Sequence, residues 1–175
     1  MALSPGQHTL GPDDGALRVR TGKTGAAAKA GHNLLMEVGS WRATIELGDD
    51  NAISLQADGG SLRVLEGSGG IQALGEEDKN AIKETIDGEV LKGTAIEFRS
   101  TQVQLNSETL RAEGELQLAG AAHPVSFELT LDDDGRLNGS ARFKQSDWGI
   151  KPYSTLFGTL KVADEVEVTI DARVG

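Results

Sequence analysis

The sequence predicts an all-β protein, a closed or nearly closed antiparallel barrel that carries one amphipathic helix. Three observations lead there. Apolar and polar residues alternate with period two through most of the chain, the pattern of strands with one buried and one solvated face. Short polar or glycine-bearing turns, such as Asn106-Ser107-Glu108 and Asp133-Asp134-Gly135, join successive runs and favour antiparallel neighbours over parallel crossovers. One segment, 76–91, switches to helical spacing. About eight or nine strands of this kind lose their exposed edges by closing on themselves, with a two-sheet sandwich as the alternative.

The elements follow in order. In 16–21, Leu17 and Val19 alternate with Arg18 and Arg20. A short helix is predicted near 25–30, where Ala26-Ala27-Ala28 supplies propensity but almost no apolar face. In 41–47, Ala43, Ile45 and Leu47 face one way and Arg42, Thr44 and Glu46 the other. Ile53, Leu55 and Ala57 repeat the pattern, and Leu62 and Val64 follow after the turn Asp58-Gly59-Gly60. The helix over 76–91 places Ile82, Ile86 and Val90 on one narrow stripe, suited to covering an end or flank of the sheet. Its first turn is acidic, Glu76-Glu77-Asp78, and Lys92 lies at its end, both favourable to the helix dipole. Gly93 suits a left-handed terminating residue, and Gly88 costs about 1 kcal/mol relative to alanine, so an early end is expected. The second half reads as strands through Ile96/Phe98, Leu110/Ala112/Gly114/Leu116/Leu118 and Val125/Phe127/Leu129/Leu131. Leu137/Gly139/Ala141/Phe143 and Val166/Val168/Ile170/Ala172 complete the set.

Composition narrows the function classes. The 175 residues read as one domain, 1–175, without internal repeat or linker. No cysteine is present, which excludes disulfide scaffolds, thiolate metal sites and cysteine nucleophiles. Seventeen basic against 27 acidic side chains give a net charge of −10, unsuited to nucleic acid or an anionic membrane surface. Leu34-Leu35-Met36 is the longest aliphatic run, so stable membrane insertion is not expected. The start, Met1-Ala-Leu-Ser-Pro-Gly, lacks a basic and an apolar leader region, and a cytoplasmic location is expected.

Catalytic and metal motifs fail on context. Gly22-Lys23-Thr24 looks like the tail of a phosphate loop, but Leu17 stands where its first glycine is needed. Gly67-Ser68-Gly69-Gly70-Ile71-Gln72 lacks the last glycine of a dinucleotide fingerprint. In a calcium-loop register around Asp132-Asp133-Asp134-Gly135, Ala141 occupies the bidentate position, so a hairpin turn is the reading. His8, His32 and His123 lie far apart, and no Gly-x-Ser-x-Gly elbow occurs. No catalytic residue, metal or cofactor is therefore assigned.

The stretch 145–157 holds three of the seven aromatics, Trp148, Tyr153 and Phe157, and Pro152 argues against a central strand there. It reads either as a plug sealing a barrel end or as a lid over a cavity. Here the chain resembles the YceI-like family of lipocalin-like, polyisoprenoid-binding proteins. The likeness runs through Lys29-Ala30-Gly31-His32, Asp78-Lys79-Asn80 and the run 91–98. It continues through Gly114-Glu115-Leu116 to His123-Pro124-Val125-Ser126-Phe127, and then through 145–166.

This resemblance implies an eight-stranded antiparallel barrel with an apolar tunnel open at one end, holding a polyisoprenoid, quinone-like or other lipid. Leu17, Val19, Ile45, Leu55, Phe98, Leu116, Phe127, Leu129 and Phe143 are the expected lining, each with ordinary core packing as the alternative. Ala112, Gly114, Gly139 and Ala141 would leave room for a chain. His32, in the family's histidine position, is a headgroup or mouth residue, with bonding to backbone groups as its alternative. Gln145 and Asp147, continuing the alternation of Phe143, join it, as do Trp148 and Tyr153 with their polar tips. The expected function is non-enzymatic binding of a small lipophilic ligand, with a filled barrel acting as a protein-interaction or stress-response module as the rival. A homodimer is left open.

Overall fold

The computed structural model describes residues 4–26, 28–70, 74–152, 154–155 and 160–174. It forms one antiparallel sheet that curls into a barrel, with a helix leaning on one end. Period two drives this. In Thr109–Leu118 every second residue from Leu110 onward is buried and its neighbours are exposed, so one register fills the interior and wets the outside.

Twelve hydrogen-bonded segments occur among the described residues, not the eight strands expected, and the pairing shows why. β1 (Gly6–Leu10) and β2 (Gly15–Thr24) both pair with the run 33–47, β1 on β4 (Trp41–Leu47) and β2 on β3 (Asn33–Val38). In turn β4 pairs with β5 (Ala52–Ala57), and β3 with β6 (Leu62–Ser68). Each of these three strands is one long run broken at a corner, at 11–14, 39–40 and 58–61. Across the last two corners Gly39 N–H donates to Ser61 O at 3.1 Å and Asp58 N–H to Ser40 O at 3.0 Å, carrying the ladder around the bend. Corners and bulges of this kind let a twisted sheet close without losing its inward rows.

The ring continues through β7 (Ile96–Asn106) on β5, then β8 (Thr109–Leu118), β9 (Ala121–Leu131) and β10 (Arg136–Lys144). β11 (Ser154–Thr155) is a two-residue flap on β12 (Leu160–Arg173), which pairs with β10 and returns to β2. With the corners joined and β11 set aside, eight long strands close the circle.

The predicted helix is present with a different ending. α1 (Glu76–Thr85) runs into a single π turn, Ile86–Val90, closed by Leu91 N–H on Ile86 O at 2.8 Å. Gly75 N–H donates to Asp78 Oδ2 at 3.0 Å at its start, and Lys92 and Gly93 end it with φ of 55° and 65°. The wider turn spans Gly88, which weakens α-helix, and both Ile86 and Val90 face the barrel. The short helix expected near 25–30 is one 3₁₀ turn, Ala28–Ala30.

The barrel is filled with core at the end where the turns 106–109 and 131–136 lie. There Leu110, Leu131 and Leu137, from three successive strands, have at most 1% of their surface exposed.

A cavity inside the barrel

Above that floor lies a cavity of about 500 Å³, within the size range of small-molecule sites. All nine residues expected to line a tunnel stand on its wall: Leu17, Val19, Ile45, Leu55, Phe98, Leu116, Phe127, Leu129 and Phe143. They arrive from different strands because inward rows converge in a closed sheet. The Phe98 and Phe127 rings meet at 5.0 Å between centroids across neighbouring strands.

Two contributors to the wall were not foreseen. The helix stripe Ile82, Ile86 and Val90 faces the void as wall, where the sequence suggested mere covering of a flank. The β12 row Val162, Val166, Val168 and Ile170 also faces inward, and its alternation was the available signal.

Of the four small residues, Gly139 and Ala141 reach the wall, whereas Ala112 and Gly114 are buried beside it. A Cβ at Gly114 would lie 2.7 Å from Phe98 Cζ, so this glycine makes room for a neighbouring ring.

The wall carries no charged side chain among the described residues. Its polar side chains are Thr21, Thr85, Ser140 and Gln145. Thr21 Oγ1 is buried without a hydrogen-bond partner. Gln145, only 7% exposed, is held by its Nε2 donating to Ala163 O at 3.0 Å.

The 3₁₀ turn Gln145–Trp148 breaks the alternation that the sequence suggested, so Asp147 does not follow Gln145 inward; it is exposed and off the wall. Ser146 pins the turn to Asp164 through its N–H at 2.9 Å and its hydroxyl at 2.5 Å. The hydroxyl bond first, then the N–H, holds the Asp164 carboxyl below its ordinary range. Trp148 stands behind the wall, 3% exposed, with Nε1 donating to Leu116 O at 2.7 Å. Its indole meets Phe143 at 4.9 Å and His123 at 5.5 Å, both edge to face. His32 is half-buried at the open end, its ring over Gly70. Tyr153 lies outside the described residues.

Outside the barrel the charged residues pair among themselves: Glu37 with Arg18 and Arg63, Asp171 with Arg136, Glu167 with Arg142. No helix among the described residues is long and apolar enough to cross a membrane.

Comparison with known proteins matches the sequence model of the YceI-like domain to residues 27–174. Among solved structures, BcnA from Burkholderia cenocepacia is similar, with a TM-score of 0.61 at 14% identity over 89% of this chain and 94% of that one. A YceI protein from Campylobacter jejuni is similar with a TM-score of 0.54 at 12% identity, over 79% and 82%. At such identities the likeness is one of fold. No curated protein matches the sequence.

Proposed function

Because the chain belongs to the YceI-like family, we propose that it is a non-enzymatic carrier that takes up one lipophilic molecule inside its barrel. The observation that carries this reading is the cavity: about 500 Å³, open at one end and walled almost entirely by apolar side chains. Tail burial supplies the affinity, about 0.8 kcal/mol per methylene taken out of water. At the ~30 Å³ that a water-sized group occupies in a liquid, the space takes on the order of 15–20 chain carbons, enough for part of a polyisoprenoid or for a shorter lipid. The wall suits burial more than bond-making, since its polar side chains are three hydroxyls and one amide. A filled barrel that works only through its surface has no use for this void.

Native mass spectrometry of freshly purified protein, followed by organic extraction, tests the reading. A lipid that co-purifies at one per chain is the expected result. Protein that is empty, and that also fails to take up the neutral probe N-phenyl-1-naphthylamine, overturns it. Phe127→Trp fills the middle of the cavity and is expected to weaken probe binding about tenfold, 1.4 kcal/mol; unchanged affinity would remove Phe127 from the ligand's path.

A further inference from the structure

Two inward rows on neighbouring strands run up to the open end, and both lead toward a nitrogen base. On β2 the row is Leu17, Val19, Thr21 and Lys23. Thr21 stands opposite Val166 and Leu34, and Lys23 opposite Val162; all three partners are cavity wall. Directly paired residues of an antiparallel ladder share a face. Lys23 therefore continues the inward row two residues or ~7 Å beyond Thr21, past the register shift between Val162 and Val166 and just off the wall itself. On β3 the row Val38, Met36 and Leu34 points toward His32, which lies one residue before the strand and off the wall; its Cβ is 3.3 Å from where a Cβ would stand on Gly67, the partner of Leu34.

The two bases meet over one bend. A Cβ at Gly69 would lie 2.7 Å from Lys23 Nζ, and one at Gly70 would lie 2.6 Å from His32 Nε2. Both glycines have left-handed φ, 75° and 76°, so the chain turns there without side chains and leaves the space to the two bases. Lys23 Nζ donates to Gly31 O at 2.8 Å and forms no ion pair among the described residues. In a chain with 27 acidic side chains this half-buried ammonium has a neutral carbonyl as its partner.

We propose that this rim is a headgroup site for an oxyanion, and that the cargo is an amphiphile with a carboxylate or phosphate head. Its tail lies among the apolar rows, and its oxyanion accepts from Lys23 Nζ with the His32 ring alongside. An ammonium has three donors, and Gly31 uses one. A hydroxyl or amide head would also accept from the ammonium, but only an oxyanion adds the attraction between two opposite charges to that bond. This inference rests on the carrier reading above and adds the chemical class of the ligand.

Competition against bound N-phenyl-1-naphthylamine separates the two. Tetradecanoate and tetradecyl phosphate are expected to displace the probe at least tenfold more strongly than tetradecanol. Lys23→Met is expected to erase that preference, and Lys23→Arg to keep it. Equal displacement by acid and alcohol, or a preference that survives Lys23→Met, overturns the anion site and leaves the carrier reading standing. Failure of the probe and all three chains to bind overturns both. Inorganic phosphate and acetate are expected not to displace the probe; displacement by either would show an anion site unconnected with a lipid head and overturn the proposal. Unfolding midpoints of the two variants, compared with the parent, identify a loss that comes from misfolding; the Arg-against-Met contrast is then the deciding reading.

Discussion

Single residues decide how the interior is divided between protein and void. At Gly114 any side chain would meet the Phe98 ring and the backbone of Arg99 and Ser100. Gly114→Ala is accordingly expected to cost about 1–3 kcal/mol, the usual penalty for overpacking, measured as a shift in the urea midpoint. Trp148→Phe should cost about 0.5–1.5 kcal/mol by the same measurement, because it removes the buried indole's bond to the Leu116 carbonyl. The inward rows themselves were legible, since period two fixes which residues face inside. Which small residues open space for a ligand was not legible. Gly114 accommodates Phe98, and Gly139, though it borders the cavity, accommodates Leu129 in the same way, a Cβ there lying 2.7 Å from Leu129 Cδ2; both are set by bulk on a neighbouring strand. Asp147 was misplaced for a related reason: alternation assumes extended backbone, and the turn at Gln145–Trp148 ends it.

Elements differ in what holds them. The strands are tied by ladders on both sides, whereas α1 and its π turn contain no fully buried residue and lean mainly on β6. Their apolar stripe looks into the cavity, so its contribution to global stability is small and its contribution to the wall is large. Ile86→Glu is expected to reduce probe uptake at least tenfold while moving the unfolding midpoint by less than a core truncation does, about 2–5 kcal/mol for isoleucine to alanine. A drop of that larger size would mean that the helix is packed like core. Sequence spacing found this helix and its acidic start. The π turn escaped it, because Ile86 and Val90, four residues apart, share a face in an ordinary α-helix as well, so their spacing carries no mark of the wider step.

At the scale of the whole molecule, charge and apolar surface are separated into outside and inside, and acid stability follows from the outside. Glu37 is held below its ordinary value of 4.5, first by its hydrogen bond to Arg63, against burial, and further by Arg18. Asp171 is held below 3.8, first by its hydrogen bond to Arg136. A carboxyl that binds its proton less readily in the folded chain stabilises the fold fully above its unfolded value and loses that contribution as pH falls through its folded one. The urea midpoint should therefore decline as pH drops below these ordinary values, and Glu37→Gln should flatten the decline; a profile with the opposite slope would contradict the sign. Closure of the sheet was legible from the number of alternating runs, but the corners at 11–14, 39–40 and 58–61 were not, since they carry no period of their own. The seam between β2 and β12 joins the two ends of the chain, some 150 residues apart in order of synthesis. During translation β2 must wait, one of its edges unpaired, until the last strand has been made. Assembly of this barrel is thus a late and nearly all-or-none event, and a nascent chain stalled before β12 presents an open sheet to its neighbours.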